Sequence, residues 1–160
     1  MAFRIGDMAV YAAHGIGEVT GIECREISGR EQTFYILRLR DSATTVMVPT
    51  DEACAKRLRA VIPKSDVKKI FAALKQKSTT PLRQTWNRRH RDYVDRLSKG
   101  SLFDVADVLR ELTQIRSRKE LSFSERRVFE TARSMLVQEL ALAGQTARAS
   151  IEQELDAILR

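Results

Sequence analysis

The sequence predicts an α+β chain, a small β-barrel followed by a compact five-helix domain. Short β-branched and aromatic runs cut by turn residues fill residues 3–61. Near Ser65 the apolar period changes from two to 3.6 residues. Beyond it, three serines each stand three residues before an acidic or amide side chain, the spacing of a helix-capping box. The boundary is placed at residue 62, giving residues 1–62 and 63–160. A chain of 160 residues has room for two such small units.

In the first half, His14-Gly15, Ser28-Gly29 and Asp41-Ser42 mark turns. Tyr35, Leu37 and Leu39 alternate with Ile36, Arg38 and Arg40, as in a strand with one buried face. Val46 and Val48 alternate around Met47, and Pro49 ends that strand because it has no N–H to donate. About five short strands in so little chain suggest a strongly bent barrel of the SH3 or Tudor kind.

In the second half, Ser65 is the expected N-cap of a helix whose apolar face is Val67, Ile70, Phe71 and Leu74. Pro81 interrupts as breaker or first-turn residue. The next helix places Trp86, His90, Tyr93, Val94 and Leu97 on one side and stops at Gly100. Ser101 and Asp104 open a third helix with Phe103, Val105, Val108, Leu109 and Leu112 inward. Ser122 with Glu125, and Ser150 with Gln153, are expected to open the last two.

The composition is that of a folding chain, 43% hydrophobic and 31% charged. No apolar run approaches the roughly 20 residues a membrane helix needs. The opening residues lack the basic-then-apolar order of a signal peptide, so a cytoplasmic location is expected. Cys24 and Cys54 read as reduced thiols. With His14 and His90 they show no metal-ligand spacing, and no metal or cofactor is expected. Convergent reactive groups of the kind an enzyme needs are also missing. His14 reads as a turn residue, Cys24 as a packing residue, and Asp92 and Asp95 as helix-surface partners of neighbouring arginines.

Charge is the informative feature because it is uneven. The net +7 is concentrated in residues 66–127, which carry sixteen Lys/Arg against eight Asp/Glu. Residues 68–99 alone hold ten basic and two acidic side chains. Such a field attracts polyanions with strong salt sensitivity. At its centre lies "TWNRRHRDYVDRL", residues 85–97, where the single tryptophan precedes Arg88, Arg89 and Arg91. Arginines bind phosphates, and an apolar ring can wedge into a distorted base step. The same spacing also allows Trp86 to extend the Tyr93–Leu97 stripe into the core, with solvated arginines around it.

The stretches "FRIGDMAVYAAHGIGEVTGIE", "TTVMVP", "TWNRRHRDYVDRLSKGS" and "DVADVLRELTQIRSRKELSFSERRVFETARSMLVQELALA" resemble the CarD/CdnL family of bacterial transcription regulators, in the same order over essentially the whole chain. Nothing like an AT-hook tail follows Arg160, so the short CdnL type is the expectation. The resemblance implies a Tudor-like domain that binds the RNA polymerase β subunit and a helical domain that contacts promoter DNA at the upstream edge of the bubble. It implies a non-catalytic, monomeric factor, brought to the nucleoid through RNA polymerase, that stabilises the open complex. Trp86 would be the wedge, with Arg88, Arg89, Arg91 and Arg126 as DNA-binding residues. The implied polymerase face holds Arg25, Met47 and Pro49, with Met47 standing where some members carry an arginine. The first domain also resembles the polymerase-binding module of the transcription-repair coupling factor. The competing expectation is an RNA- or ribosome-associated nucleic-acid-binding module.

Overall fold

The computed structural model describes residues 3–11, 15–40, 42–51, 58–76, 86–99 and 101–159, without the side chains of Trp86, Asn87 and Lys99. His14, Asp41, Cys54, Pro81, Thr85 and Gly100, which carried expectations above, lie outside the described residues. The chain divides into two compact units, Met1–Val61 and Ile62–Arg160.

The first unit is one antiparallel sheet of five described strands, β1 (Met8–Tyr11), β2 (Gly15–Ile27), β3 (Arg30–Leu39), β4 (Thr45–Pro49) and β5 (Leu58–Ala60). Their order is β4-β3-β2-β1-β5, so each strand but β5 pairs with its sequence neighbour. The Ser28-Gly29 turn forms as expected. Both residues have positive φ, 53° and 77°, which gives the tight two-residue link that matches the twist of paired strands. β2 and β3 are longer than the short strands expected, 13 and 10 residues. Their far end runs past the core: Ile22 and Ile27 are exposed there, as is Cys24, which therefore does not take the packing role expected of it.

One face of the sheet is the core. Ala9, Val19, Tyr35, Leu37, Leu39, Val48 and Leu58 come from all five strands and form a single cluster with Phe3. Tyr35 crosses it, placing its ring edge-on to Phe3 at 5.8 Å and accepting a hydrogen bond from the Phe3 N–H at 3.2 Å. Gly17 sits where nothing larger fits. A Cβ there would lie 2.7 Å from Leu37 Cγ and 3.0 Å from the Arg38 carbonyl oxygen.

Five helices are described in the second unit, α1 (Lys64–Lys75), α2 (Trp86–Lys99), α3 (Leu102–Arg116), α4 (Phe123–Gly144) and α5 (Arg148–Ile158). The hub is α3, which buries Leu102, Val105, Ala106, Val108, Leu109, Leu112 and Ile115. Around it gather Ile70 and Leu74 of α1, Tyr93 and Leu97 of α2, Ile151 and Leu155 of α5, and a long face of α4. Two of the expected capping boxes form. The Ser101 N–H donates to Asp104 at 2.9 Å, and the Ser122 N–H donates to Glu125 at 3.0 Å.

Three local expectations fail in the second unit. The first helix begins at Lys64 with Pro63 as N-cap, not Ser65. The Pro63 ring fixes φ at −68°, and its carbonyl accepts the Asp66 N–H at 2.9 Å, so the helix opens two residues early. Ser150 is not a cap either: α5 starts at Arg148 after Ala147, and Ser150 lies inside it. Gln145 ends α4 in the left-handed region (φ 53°), which leaves a link of only three residues before α5. The need to bring Ile151 and Leu155 to the core sets the register there, over the local Ser/Gln signal. Val94, expected on the inner side of α2, is 46% exposed, because it falls about 100° from the buried Tyr93 around the helix.

Gly17→Ala tests the tightest point of the first unit. Overpacking of this kind costs about 1–3 kcal/mol. The expected result is a lowered denaturant midpoint for the sheet signal, with the helical signal unmoved. An unchanged midpoint would mean that Leu37 yields freely.

Candidate functional site

Strand register decides what the first unit presents. Residues directly opposite on paired strands share a face. Ile36 is opposite both Met47 and Gly21, Phe34 is opposite both Pro49 and Glu23, and Gln32 is opposite Arg25. Arg25, Met47 and Pro49 therefore lie on one face of three adjacent strands, the face opposite the Tyr35–Leu37–Val48 core. Met47 is 36% exposed and Pro49 half-buried. Arg25 is exposed and held by Glu23, which accepts from its Nε at 3.2 Å and its Nη2 at 3.0 Å.

The backbone of β4 adds to this. The Leu39 N–H donates to the Thr44 carbonyl at 2.9 Å, and the Thr50 N–H donates to the Thr33 carbonyl at 3.0 Å. Antiparallel pairing alternates, so Val46 and Val48 spend their backbone groups on β3, and the N–H and C=O of Met47 point outward. β4 is an end of the sheet, and among the described residues no strand covers that edge. An open, short edge beside an apolar side chain is a template for strand addition.

In the second unit the sequence-selected arginines separate. Arg88 and Arg91 are exposed on α2, and Arg126 is exposed in the first turn of α4. Arg89 differs from all three. Its side chain is 13% exposed, and its Nη1 lies 4.0 Å from Oε2 of Glu125, whose side chain is 4% exposed. Residue 89 falls about 40° from Tyr93 around the helix, on the buried arc, whereas Arg88 and Arg91 fall on the far side. Trp86 opens α2, but its side chain is outside the described set.

Polar contacts tie α2 down. Burial first, and then the charge and hydrogen bond of Glu111, push the Tyr93 phenol up to about 12 against the opposing effect of Arg89. The phenol stays protonated and faces both groups. Glu111 also meets Arg96 at 3.3 Å, and Arg96 reaches Asp92 at 2.7 Å. Burial alone would raise the Glu125 carboxyl. Hydrogen bonds from the Ser122 backbone and hydroxyl, with the charges of Lys119 and Arg89, lower it instead. An ionised carboxylate thus stands under the first turn of α4, facing the first turn of α2.

That junction exposes side chains which sequence reasoning passed over. Phe123, the first residue of α4, is 69% exposed, and the Arg127 guanidinium lies 5.9 Å from its ring centroid. The available signal was positional: an apolar residue directly after an N-cap serine projects past the helix end. Val94 adds a second exposed apolar side chain one turn beyond Arg91.

Little here suits catalysis. An open depression of about 460 Å³ in the first unit is lined by Met8, Glu18, Arg38, Leu39, Arg40 and Ala43, a lining without a nucleophile. Among the described residues no group of three His, Cys, Asp or Glu is placed to hold a metal, and no helix is long and apolar enough to cross a membrane.

The two units match two family models, the CarD-like/TRCF RID domain over residues 3–62 and the CarD C-terminal domain over residues 69–156. The putative transcription factor YdeB of Bacillus subtilis (strain 168) is 30% identical over 138 residues, which cover 86% of this chain and 90% of that protein. A solved structure of CdnLNt from Myxococcus xanthus is 40% identical and covers 39% of this chain and 87% of its own, with a TM-score of 0.34. Family likeness thus runs through both units, and the chain belongs to the CarD family of transcription regulators.

Proposed function

We propose that this regulator holds the RNA polymerase β subunit with its first unit and promoter DNA with its second, and so stabilises the open complex at initiation. The observation that carries the DNA half is the junction of the α2 and α4 first turns. Here α2 exposes Arg88 and Arg91, and the first turn of α4 exposes Phe123 and Arg126, while Arg89 turns inward toward Glu125. Arginines in this setting neutralise phosphates and fix orientation without reading sequence. An aromatic ring at a helix start supplies the apolar wedge, and Trp86 takes that role. The polymerase half rests on the shared face of Arg25, Met47 and Pro49 and on the open β4 edge.

Each half has its own test. Met47→Asp puts a charge at the centre of the proposed contact while leaving the core face alone. It is expected to abolish binding to the isolated β subunit with no change in melting temperature. Unchanged affinity would remove Met47 from the interface.

Three phosphate contacts, from Arg88, Arg91 and Arg126, give a log-affinity versus log-salt slope of about −3, at roughly −0.9 per neutralised phosphate. Measured with polymerase present, the slope is expected to fall by about one for each arginine changed to Gln. A slope near zero in the parent chain would make the cluster a merely solvated face.

A wedge must bind opened DNA better than closed duplex, since only differential affinity shifts that equilibrium. Unstacking a base step costs on the order of a few kcal/mol, part of which an inserted ring offsets. Trp86→Ala is expected to shorten open-complex lifetime about tenfold on a promoter with an unstable bubble, equivalent to about 1.4 kcal/mol. The melting temperature should hardly move. Normal open complexes with severe destabilisation would instead place the ring in the core.

A further inference from the structure

We infer that Arg89 is a positioning residue: through Glu125 and Tyr93 it fixes the rotation of the α2 first turn, and hence the direction in which that helix presents its DNA-facing side chains. The inference rests on the reading above and assigns Arg89 a role different from that of its exposed neighbours. Arg88, Arg91 and Arg126 face solvent, whereas the Arg89 side chain is 13% exposed. A guanidinium so placed is poorly disposed to reach a phosphate. Its neighbours are parts of the fold that are themselves fixed.

Glu125 is fixed by its own helix. One carboxylate oxygen accepts the Ser122 N–H at 3.0 Å, and the other stands 4.0 Å from Arg89 Nη1. Tyr93 lies one turn along α2, 1% exposed, and its phenol is acted on by both Arg89 and Glu111 of α3. The guanidinium is thus engaged by α4 on one side and, through Tyr93, by α3 on the other. Lys119, 3.9 Å from Glu125, adds a second cation at the same carboxylate.

Geometry explains why rotation is the quantity that needs fixing. Among the described residues of α2, only Tyr93 and Leu97 are buried in the core, and both lie in its C-terminal half. Of the two side chains described in the first turn, Arg88 is exposed and Arg89 is paired to another helix. With side chains a helix is about 10 Å across, so a roll of about 20° displaces an outward group by roughly 2 Å. An arginine fork can address a carboxylate and a hydroxyl at fixed angles, and the point charge of a lysine cannot.

The test compares Arg89→Lys, Arg89→Gln and Glu125→Gln in the full-length chain with polymerase and an unstable promoter. Glutamine retains the capping geometry at Glu125 and removes its charge. Trp86 is the sole tryptophan, so its fluorescence quenching by acrylamide reports the first turn of α2 without DNA. Expected for Arg89→Lys are a changed quenching constant, an open-complex lifetime shorter by about threefold or more, and an unchanged salt slope. The double variant Arg89→Gln/Glu125→Gln should lose no more than the worse single one, since both changes break the same link.

A phosphate contact gives the opposite pattern. Arg89→Lys then matches the parent chain, Arg89→Gln lowers the slope by about 0.9, and the two losses add. An unchanged quenching constant in all three variants overturns the inference whatever the lifetimes do. Should Arg89→Gln fail to fold, Arg89→Lys carries the test alone. Failure of the wedge reading shows separately, as a Trp86→Ala variant with normal open complexes and an intact quenching response in Arg89→Lys.

Discussion

The second unit turns on a buried carboxylate. Glu125 is 3% exposed and answers to two helices at once, closing the first turn of α4 through Ser122 and facing Arg89 of α2. A helix as rich in arginine as α2 cannot be held by apolar burial alone. Only two of its described residues reach the core, and the others would gain more from water. Carboxylates from two other helices complete the attachment, Glu125 of α4 facing Arg89 and Glu111 of α3 meeting Arg96. For the buried pair of Arg89 and Glu125, the cost of removing one member, about 3–5 kcal/mol, is largely the cost of stranding its partner. Polar fixation of this kind weakens easily but sets direction, because a buried ion pair such as that of Arg89 and Glu125 is lost when the helix rolls.

The first unit meets a different constraint, a period of two that one bulge in β2 resets between Val19 and Gly21. Once Tyr35, Leu37 and Val48 face the core, Ile36 and Met47 have no choice but the other side. Pairing carries that choice across to β2, where the bulge after Val19 turns Arg25 to the same outer face. The outer face is not free to vary independently: a one-residue slip that exposed a different set would also empty the core. The same alternation governs the backbone, committing Val46 and Val48 to β3 and leaving Met47 to the edge. The side chain and main chain of Met47 are therefore presented together, and Pro49 limits how far that edge can extend.

Much of this was legible from sequence, and the failures have physical causes. The change of period, the Ser28-Gly29 turn, the alternation of Tyr35, Leu37 and Leu39, and the boxes at Ser101 and Ser122 are local properties, and each appears where expected. Pro63 displaced Ser65 because a fixed φ outweighs a hydroxyl at a helix start. Ser150 lost its expected place because α5 is positioned by what Ile151 and Leu155 must cover. For the site, spacing could show that three arginines follow Trp86. It could not show that Arg89 would meet a carboxylate contributed from Glu125, since no local rule pairs residues so far apart. The exposure of Phe123 was within reach, given that the preceding serine had already been identified as a cap.

The division into a polymerase-facing and a DNA-facing unit also explains, on the proposed reading, why the DNA contact can be small. A few arginines without base readout give weak, salt-sensitive affinity of a kind that would leave the free chain scattered over any duplex. Once one unit is anchored to polymerase, the second meets DNA as an intramolecular event, at an effective concentration in the millimolar range for a short connection. Weakness then becomes useful, because a contact that saturated closed duplex as strongly as open DNA would shift nothing. What matters is the difference between the two DNA states. That difference depends on where one ring and a few guanidinium groups point, which is why a helix held by directional polar contacts suits this task better than one held by a broad apolar face.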